Sequence, residues 1–232
     1  MRRVLDVART LTVNWFMVIG LPLVVLALAF ALNLVIFAVI GDEAPEEGRI
    51  SGALMSVYIT MGIAHLQTIT QVFPFTLGLS VTRRAFYAAT ALVVVAQSLF
   101  YGLILVAGVR LEAATGGWGL GIRFFGLPFL GQGNVVAQWL VYAVPMLAIT
   151  AIGVFMGVVF KRWGQPGVYV VGLGAAVLAT AFVLVVTWQR WWPAVGSFFA
   201  SQSSLALYAG YPLVIALVLG GAGWLALRRA TP

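Results

Sequence analysis

The side chains that could take part in chemistry are mostly uncharged, and several recur along one segment of the chain. Serine, threonine and glutamine residues between positions 56 and 71 are spaced as on one face of a helix. At 100° per residue they fall within an arc of about 100°. Buried amides and hydroxyls need hydrogen-bond partners, so this face is expected either to line a polar path or to bond to other helices. Its residues are Ser56, Thr60, Gln67, Thr70 and Gln71.

A second polar stripe is predicted on the next helix, where Tyr87, Thr90, Gln97 and Tyr101 share a face. His65 projects to roughly the opposite side from the first stripe. A lone histidine is more typical of a packed, hydrogen-bonded residue than of a proton relay, and its role stays open. The residues assigned to a candidate translocation path are Ser56, Thr60, Gln67, Thr70, Gln71, Tyr87, Gln97 and Tyr101.

Motifs for catalysis are absent from the sequence. It contains no G-x-x-x-x-G-K-[ST] phosphate loop, no G-x-S-x-G elbow and no H-E-x-x-H pair. Metal centres use several His, Cys or acidic ligands together. The one acidic cluster, Asp42, Glu43, Glu46 and Glu47, is more typical of a solvated turn than of a cation site. We therefore expect no catalytic residue, no metal and no cofactor in this chain.

The composition predicts helices in a membrane around these residues. The chain of 232 residues is 62% hydrophobic and 8% charged, against about 25% charged residues in soluble domains. Lipid cannot satisfy the backbone of an open strand, so the predicted fold is an all-α polytopic membrane protein. One transmembrane domain over residues 1–232 is expected, with a bundle over 15–227 that crosses the membrane six times. The predicted spans are Trp15–Ile40, Ser51–Leu79, Phe86–Val109, Asn134–Phe160, Gly167–Trp188 and Ala206–Leu227.

Two further segments have a distinct pattern. Residues 1–14 fit an amphipathic helix, with Val4, Ala8 and Leu11 on one face, and are expected to lie in the inner headgroup layer. An ordinary basic flank is the alternative. Residues 188–205 are rich in Trp and Phe but interrupted by proline and glycine, which favours a re-entrant or interfacial outer segment before the last span.

The basic residues predict the orientation. With both termini in the cytoplasm, nine Lys and Arg residues lie inside and four, namely Arg49, Arg110, Arg123 and Arg190, lie outside. The net charge of +7 then reflects cytoplasmic loops, so no nucleic-acid partner is expected. No Asp, Glu, Lys or Arg is expected inside a span, and Glu112 is placed outside.

Small residues and prolines indicate where helices meet or bend. The pairs Gly153-x-x-x-Gly157 and Gly172-x-x-x-Ala176 would allow close approach of two backbones. Pro74, Pro145 and Pro212 are expected to kink or end helices.

The stretch FPFTLGLSVTRRAFYAATAL, residues 73–92, resembles the junction between spans two and three in permease subunits of type-2 ABC exporters in their small bacterial form. Residues 188–200 occupy the position of that family's outer hairpin. The resemblance implies a multi-pass protein of the bacterial inner membrane that pairs with a second permease subunit and with separate ABC ATPase subunits. It implies no enzyme activity in this chain. It also implies a short element that docks on the ATPase, for which the candidate residues are Phe73, Pro74, Phe75, Leu77, Gly78, Thr82, Arg83 and Arg84.

Other functions share parts of this pattern. An ion-coupled secondary transporter would use His65 and the glutamines, and a lipid-modifying enzyme would need Glu112 or the acidic turn. A non-transporting sensor or immunity subunit could have the same architecture. The sequence leaves open the substrate, the direction of transport, and whether the 110–133 loop gates an exit or binds a partner.

Overall fold

A computed structural model describes residues 2–13, 15–40 and 49–228. Within these ranges the regular elements are helices, which confirms the all-α prediction. The acidic cluster 42–47 lies outside the described residues. The α-helices are α1 (Arg2–Thr12), α2 (Leu21–Ile40), α3 (Met55–Gln67), α4 (Phe73–Gly78), α5 (Arg83–Ala114), α6 (Val135–Trp188), α7 (Trp192–Ser201) and α8 (Tyr211–Leu227).

Four helical segments are long and apolar enough to cross a bilayer, namely Val18–Ile40, Arg83–Ala114, Val135–Trp188 and Ala206–Leu227. Their surfaces are also apolar: the side chains of Val39 and Leu178, for example, are 81% and 73% exposed. Soluble proteins rarely expose a continuous apolar surface of this kind. The structure therefore indicates a membrane protein.

Helix α6 is two arms joined at Gly164. Its 54 residues would measure about 80 Å if straight, far more than the roughly 30 Å of hydrocarbon. Gly164 has φ 67° and ψ −160°, a combination that is essentially restricted to glycine. Pro166 follows two residues later and removes another helical hydrogen bond. The predicted spans 134–160 and 167–188 fall in the two arms.

Three π-helical turns precede three prolines in a repeated arrangement. The turns Phe16–Gly20, Thr68–Val72 and Ala206–Gly210 run directly into α2, α4 and α8, and each of these helices has proline as its second residue. Proline donates no N–H and its ring clashes with the carbonyl four residues earlier, so the preceding turn widens. Predicted bends at Pro74 and Pro212 thus take the form of π turns, and Pro22 adds a third.

The core has two main clusters, one at each end of the bundle. The first, which we call the Glu112 end, contains Tyr58, Tyr101 and Tyr142 and is covered by Phe124 and Phe125. The second, the Arg83 end, combines Val7 and Leu11 of α1 with Phe73, Phe86 and Leu227. The apolar face of α1 therefore packs against protein, whereas the sequence placed it against lipid headgroups.

Two glycines bring α3 and α6 into backbone contact. A Cβ on Gly153 would overlap the carbonyl oxygen of Gly62, and one on Gly157 would lie 2.7 Å from Cβ of Ile69. This confirms the predicted close approach at Gly153-x-x-x-Gly157. The other pair behaves differently, because no described atom lies within 4 Å of a Cβ placed on Gly172.

Helix α7 covers much of the aromatic segment predicted before the last span. Arg190 precedes it with φ 56°, and Trp192, Phe198 and Phe199 on the helix are 48–52% exposed. The segment is helical and apolar on its surface.

Candidate functional site

A cavity of about 380 Å³ lies between α3, α5 and the first two helices of the chain. Its polar lining comes from both predicted stripes. Leu11 of α1 and Leu21 of α2 close it on the other sides. The polar residues that border it are Thr60, His65, Gln67, Thr68, Gln71, Thr90 and Gln97.

Half of the predicted path residues border this cavity. Thr60, Gln67, Gln71 and Gln97 do so, and Gln67 and Gln71 are exposed at its rim. The residues Ser56, Thr70, Tyr87 and Tyr101 do not. Thr68 was not predicted, and Thr90 was placed on a stripe but not assigned to the path.

The π turn Thr68–Val72 helps to explain why the lining differs from the ideal helical projection. Phe73 N–H bonds to the Thr68 carbonyl, five residues back, because Pro74 follows and disturbs the normal register. Residues before and after the turn are therefore rotated relative to a uniform helix. His65 precedes this turn in α3, and it borders the same cavity as Thr60 and Gln67 although it projects to roughly the opposite side of the helix.

Gln97 and Tyr101 bond to the π turn that precedes α2. Gln97 Nε2 donates to the Val18 carbonyl at 2.6 Å, and the Tyr101 hydroxyl donates to the Ile19 carbonyl at 2.6 Å. Val18 is four residues before Pro22, which has no N–H to offer it. The sequence left interhelical hydrogen bonding open as an alternative to a polar path. Tyr101 forms such a bond and does not border the cavity, whereas Gln97 forms one and also borders the cavity.

Tyr87 also forms an interhelical bond. Its hydroxyl donates to the Gly220 carbonyl of α8 at 2.6 Å. Gly223 makes room for this ring, because a Cβ there would lie 2.7 Å from the hydroxyl oxygen. Tyr87 is therefore a contact between α5 and α8.

His65 is buried, with 5% of its surface exposed. Its Nδ1 lies 3.0 Å from the Met61 carbonyl oxygen. A carbonyl oxygen only accepts, so Nδ1 carries the hydrogen. In the neutral ring Nε2 is then an acceptor.

The α4–α5 junction, which contains the candidate docking residues, has both buried and exposed parts. Thr82 caps α5, where its hydroxyl oxygen accepts from Ala85 N–H at 3.2 Å. Phe73 is 1% exposed and stacks on Phe86 at 5.0 Å, so it is a core residue. Phe75 and Leu79 are 65% and 59% exposed, and they present the apolar surface of this junction.

The two arginines of the junction differ in their contacts. Arg83 Nη1 donates to the Arg228 carbonyl at 3.3 Å, and Arg162 Nη1 donates to the Ala226 carbonyl at 3.4 Å. Both guanidinium groups therefore lie at the carboxyl end of α8, where the helix dipole favours positive charge. Arg84 is exposed. The residues predicted to share the cytoplasmic side thus come together at the Arg83 end.

Glu112 organises the opposite end. The carboxylate is 5% exposed and accepts from the backbone N–H groups of Phe124, Phe125 and Gly126 at 2.7–2.9 Å, and from Trp118 Nε1 at 3.2 Å. Glu112 lies in the last turn of α5, three residues beyond the predicted span 86–109. Its four hydrogen bonds compensate its burial.

The 115–133 segment is consequently a folded cap. Arg123 exchanges backbone bonds with Arg49 and Ser51 at 2.8 and 3.1 Å, and the Tyr142 hydroxyl donates to the Phe125 carbonyl. Gly108 leaves room for the Phe125 ring to pack against α5, because a Cβ there would lie 2.6 Å from that ring. The cap covers the aromatic cluster of the Glu112 end.

Among the described residues, no three His, Asp or Glu side chains lie close enough to hold a metal ion. No family model, curated protein or solved structure matches this chain. The structural features that bear on function are the polar cavity, the basic Arg83 end and the cap.

Proposed function

We propose that this chain is the membrane-spanning subunit of an ATP-driven transporter of the type-2 ABC exporter class. It works with a second permease subunit and with ATPase subunits that dock at the Arg83 end. The protein belongs to the bacterial inner membrane, with both termini in the cytoplasm.

The observation that carries the proposal is the polar cavity inside an apolar helical bundle. Gln67 and Gln71 are exposed at its rim, and glutamine is unfavourable against lipid. A substrate path, completed by a second subunit, gives these amides a polar environment. The absence of a phosphate loop from the sequence requires an external source of energy.

The helical elements are compatible with six crossings. Met55–Gly78, counted through its π turn, and the two arms of α6 on either side of Gly164 would add to the helices at Val18–Ile40, Arg83–Ala114 and Ala206–Leu227. With six crossings, the junctions at residues 79–82 and 164 lie on one side of the membrane, together with the carboxyl end of α8. Residues 115–133 and α7 then lie on the other side, with α7 as the re-entrant segment.

Two measurements test the proposal. Tagged protein purified from its source cells should carry with it a chain that contains a phosphate loop and hydrolyses ATP. The double variant Gln67→Leu with Gln71→Leu should change transport-linked ATP hydrolysis while the chain still inserts and folds, because both side chains are exposed. Purification without any ATPase would overturn the proposal.

A second candidate is an ion-coupled secondary transporter, favoured by the position of His65 at the cavity. It predicts that reconstituted protein dissipates a proton gradient without ATP. His65→Asn would abolish that flux, whereas an ATP-driven permease shows no such flux.

A further inference from the structure

The inner polar groups of the cavity offer acceptors more than donors, whereas the amide groups of Gln67 and Gln71 lie at its exposed rim. The hydroxyls of Thr60, Thr68 and Thr90 each donate to the carbonyl four residues earlier in the same helix, at 2.8, 3.0 and 3.0 Å. A hydroxyl has one hydrogen and two lone pairs. Each of these threonines therefore has only acceptor capacity left for the cavity.

Two further buried polar side chains of the cavity, Gln97 and His65, have the same property. The Val18 carbonyl requires a donor, so it is the amide nitrogen of Gln97 that faces it, and Oε1 is left as the acceptor. Gln97 is 7% exposed, and Oε1 has no hydrogen-bond partner among the described residues. The Nδ1–H of His65 is directed to Met61, which leaves Nε2 as a second acceptor, and the His65 ring lies against the Gln97 side chain, so the two acceptors are neighbours.

Apart from Gln67 and Gln71 at the rim, the remaining lining is apolar, and none of it carries a formal charge. It includes Val18, Leu21, Ile63, Val72 and Val93. The volume of about 380 Å³ falls in the range of about 300–1,000 Å³ that is usual for small-molecule sites. The complementary ligand has an apolar body and a head group that donates several hydrogen bonds.

We infer that the cavity binds the ammonium head group of an amphiphilic primary amine. An ammonium has three donors and no acceptor, which matches the unpaired acceptors of Gln97, His65 and the threonines. Neutral oxygen acceptors can hold a cation without a fixed counter-charge, as they do in channel filters, and so permit its release. That such an amine is the transported substrate rests on the proposed function, whereas its binding does not.

The single histidine of the chain provides a site-specific measurement. Full-length protein labelled with ¹⁵N in the imidazole ring and held in lipid nanodiscs should show one pair of ring signals, with the hydrogen on Nδ1. Added dodecylamine should shift the Nε2 signal in the direction of an accepted hydrogen bond. Dodecyltrimethylammonium has the same tail and charge but no N–H, and should leave the signal in place.

Variants connect the shift to the threonine acceptors. Thr60→Val with Thr90→Val removes two hydroxyls that bond only within their own helices, so folding should be retained. The dodecylamine concentration at half-maximal shift should rise about tenfold or more, as expected for lost bonds to a charged donor. Thr70→Val, whose hydroxyl lies off the cavity, should leave it unchanged.

Three outcomes would overturn the inference: no shift with dodecylamine, an equal shift with the trimethyl compound, or equal affinity in both threonine variants. The first would indicate a cavity filled by water, and the second simple partition of charged amphiphiles into the bilayer. Amine binding without a co-purifying ATPase would sustain this inference and remove the proposed function. A co-purifying ATPase without amine binding would overturn this inference and leave the proposed function in place.

Discussion

Gln97 Nε2 lies 2.6 Å from the Val18 carbonyl oxygen, the oxygen that Pro22 leaves without its usual backbone donor four residues on. Prolines are tolerated in membrane helices where neighbouring helices satisfy the carbonyls they release. Gln97, which lies on α5, supplies this hydrogen bond to the turn that precedes α2. The Gln97 side chain therefore binds the turn before α2 and also forms part of the lining of the polar cavity.

The first prediction concerns this bond. Gln97→Leu should lower the free energy of unfolding by about 1–2 kcal/mol, because it removes the hydrogen bond and leaves the Val18 carbonyl unpaired. Denaturant titration of the protein in detergent measures the change. Gln71→Leu, at an exposed position, is the matched control and should alter stability by less than about 0.5 kcal/mol.

Pro22→Ala provides the second half of a double-mutant cycle. Alanine restores an N–H to the Val18 carbonyl, so Gln97→Leu should cost less in the Pro22→Ala background. A coupling energy of about 0.5–1.5 kcal/mol is expected for residues that act on one carbonyl. Strictly additive effects would contradict the link between the two residues.

This relationship also marks how far the sequence could predict the site. The spacing of Thr60, Gln67 and Gln97 indicated polar faces, and these residues do border one cavity. The helical projection did not place His65 there, because it gives only the direction of a side chain, whereas the cavity is shaped by α1, α2 and α5 around α3. The prolines after the π turns were visible in the sequence, but which neighbour supplies the missing hydrogen bond is a property of tertiary packing.

The ends of the fold were predictable to different degrees. Composition and length were sufficient to predict the apolar helices. The burial of Glu112 was not, since its donors come from Phe124, Phe125 and Gly126, more than ten residues along the chain. Likewise, nothing local to Arg83 indicates that it bonds to the last helix.

The second prediction concerns the contact between α3 and α6. Gly153→Ala should lower the free energy of unfolding by about 1–3 kcal/mol, because the added methyl overlaps the Gly62 carbonyl and forces the helices apart. Gly172→Ala is the matched control, with open space around its Cβ. It should leave stability unchanged or slightly higher, through helix propensity. Equal effects of the two substitutions would show that the close contact is absent.

The third prediction concerns the cap at the Glu112 end. Glu112→Gln replaces one acceptor oxygen by an NH₂ group, so at least one of the four donors faces another donor. The amide hydrogens of Phe124, Phe125 and Gly126 should then exchange with solvent about tenfold faster or more. Hydrogen exchange followed by mass spectrometry resolves this segment. Trp118→Phe removes only the indole donor and should have a smaller effect, while unchanged exchange in Glu112→Gln would contradict the role of the carboxylate.

The fourth prediction concerns orientation. Because the chain has no native cysteine, single cysteines report sidedness without background. Cysteines at residues 1, 82 and 232 should resist an impermeant external reagent in intact cells, and those at Gly117 and Ser201 should react. A cysteine near Glu46, outside the described residues, should also react. Labelling of position 82 by the external reagent would show that the proposed orientation is wrong.

The last prediction separates the two arginines of the α4–α5 junction. Arg83 bonds to the carboxyl end of α8, so Arg83→Lys should weaken that contact and lower stability slightly, by up to about 1 kcal/mol. Arg84 is exposed and has no such structural role. If Arg84 forms a bidentate pair with a carboxylate of the ATPase, Arg84→Lys should reduce co-purification of the ATPase or transport-linked hydrolysis, while expression, orientation and unfolding stay as in the parent. Phe75→Ala, which removes an exposed ring of the same junction, should act in the same direction. Normal ATPase binding by both Arg84→Lys and Arg84→Ala would contradict docking through Arg84. Arg83 and Arg84 would then serve only to fix the orientation of the helices, since basic residues are expected at cytoplasmic helix ends without any docking partner.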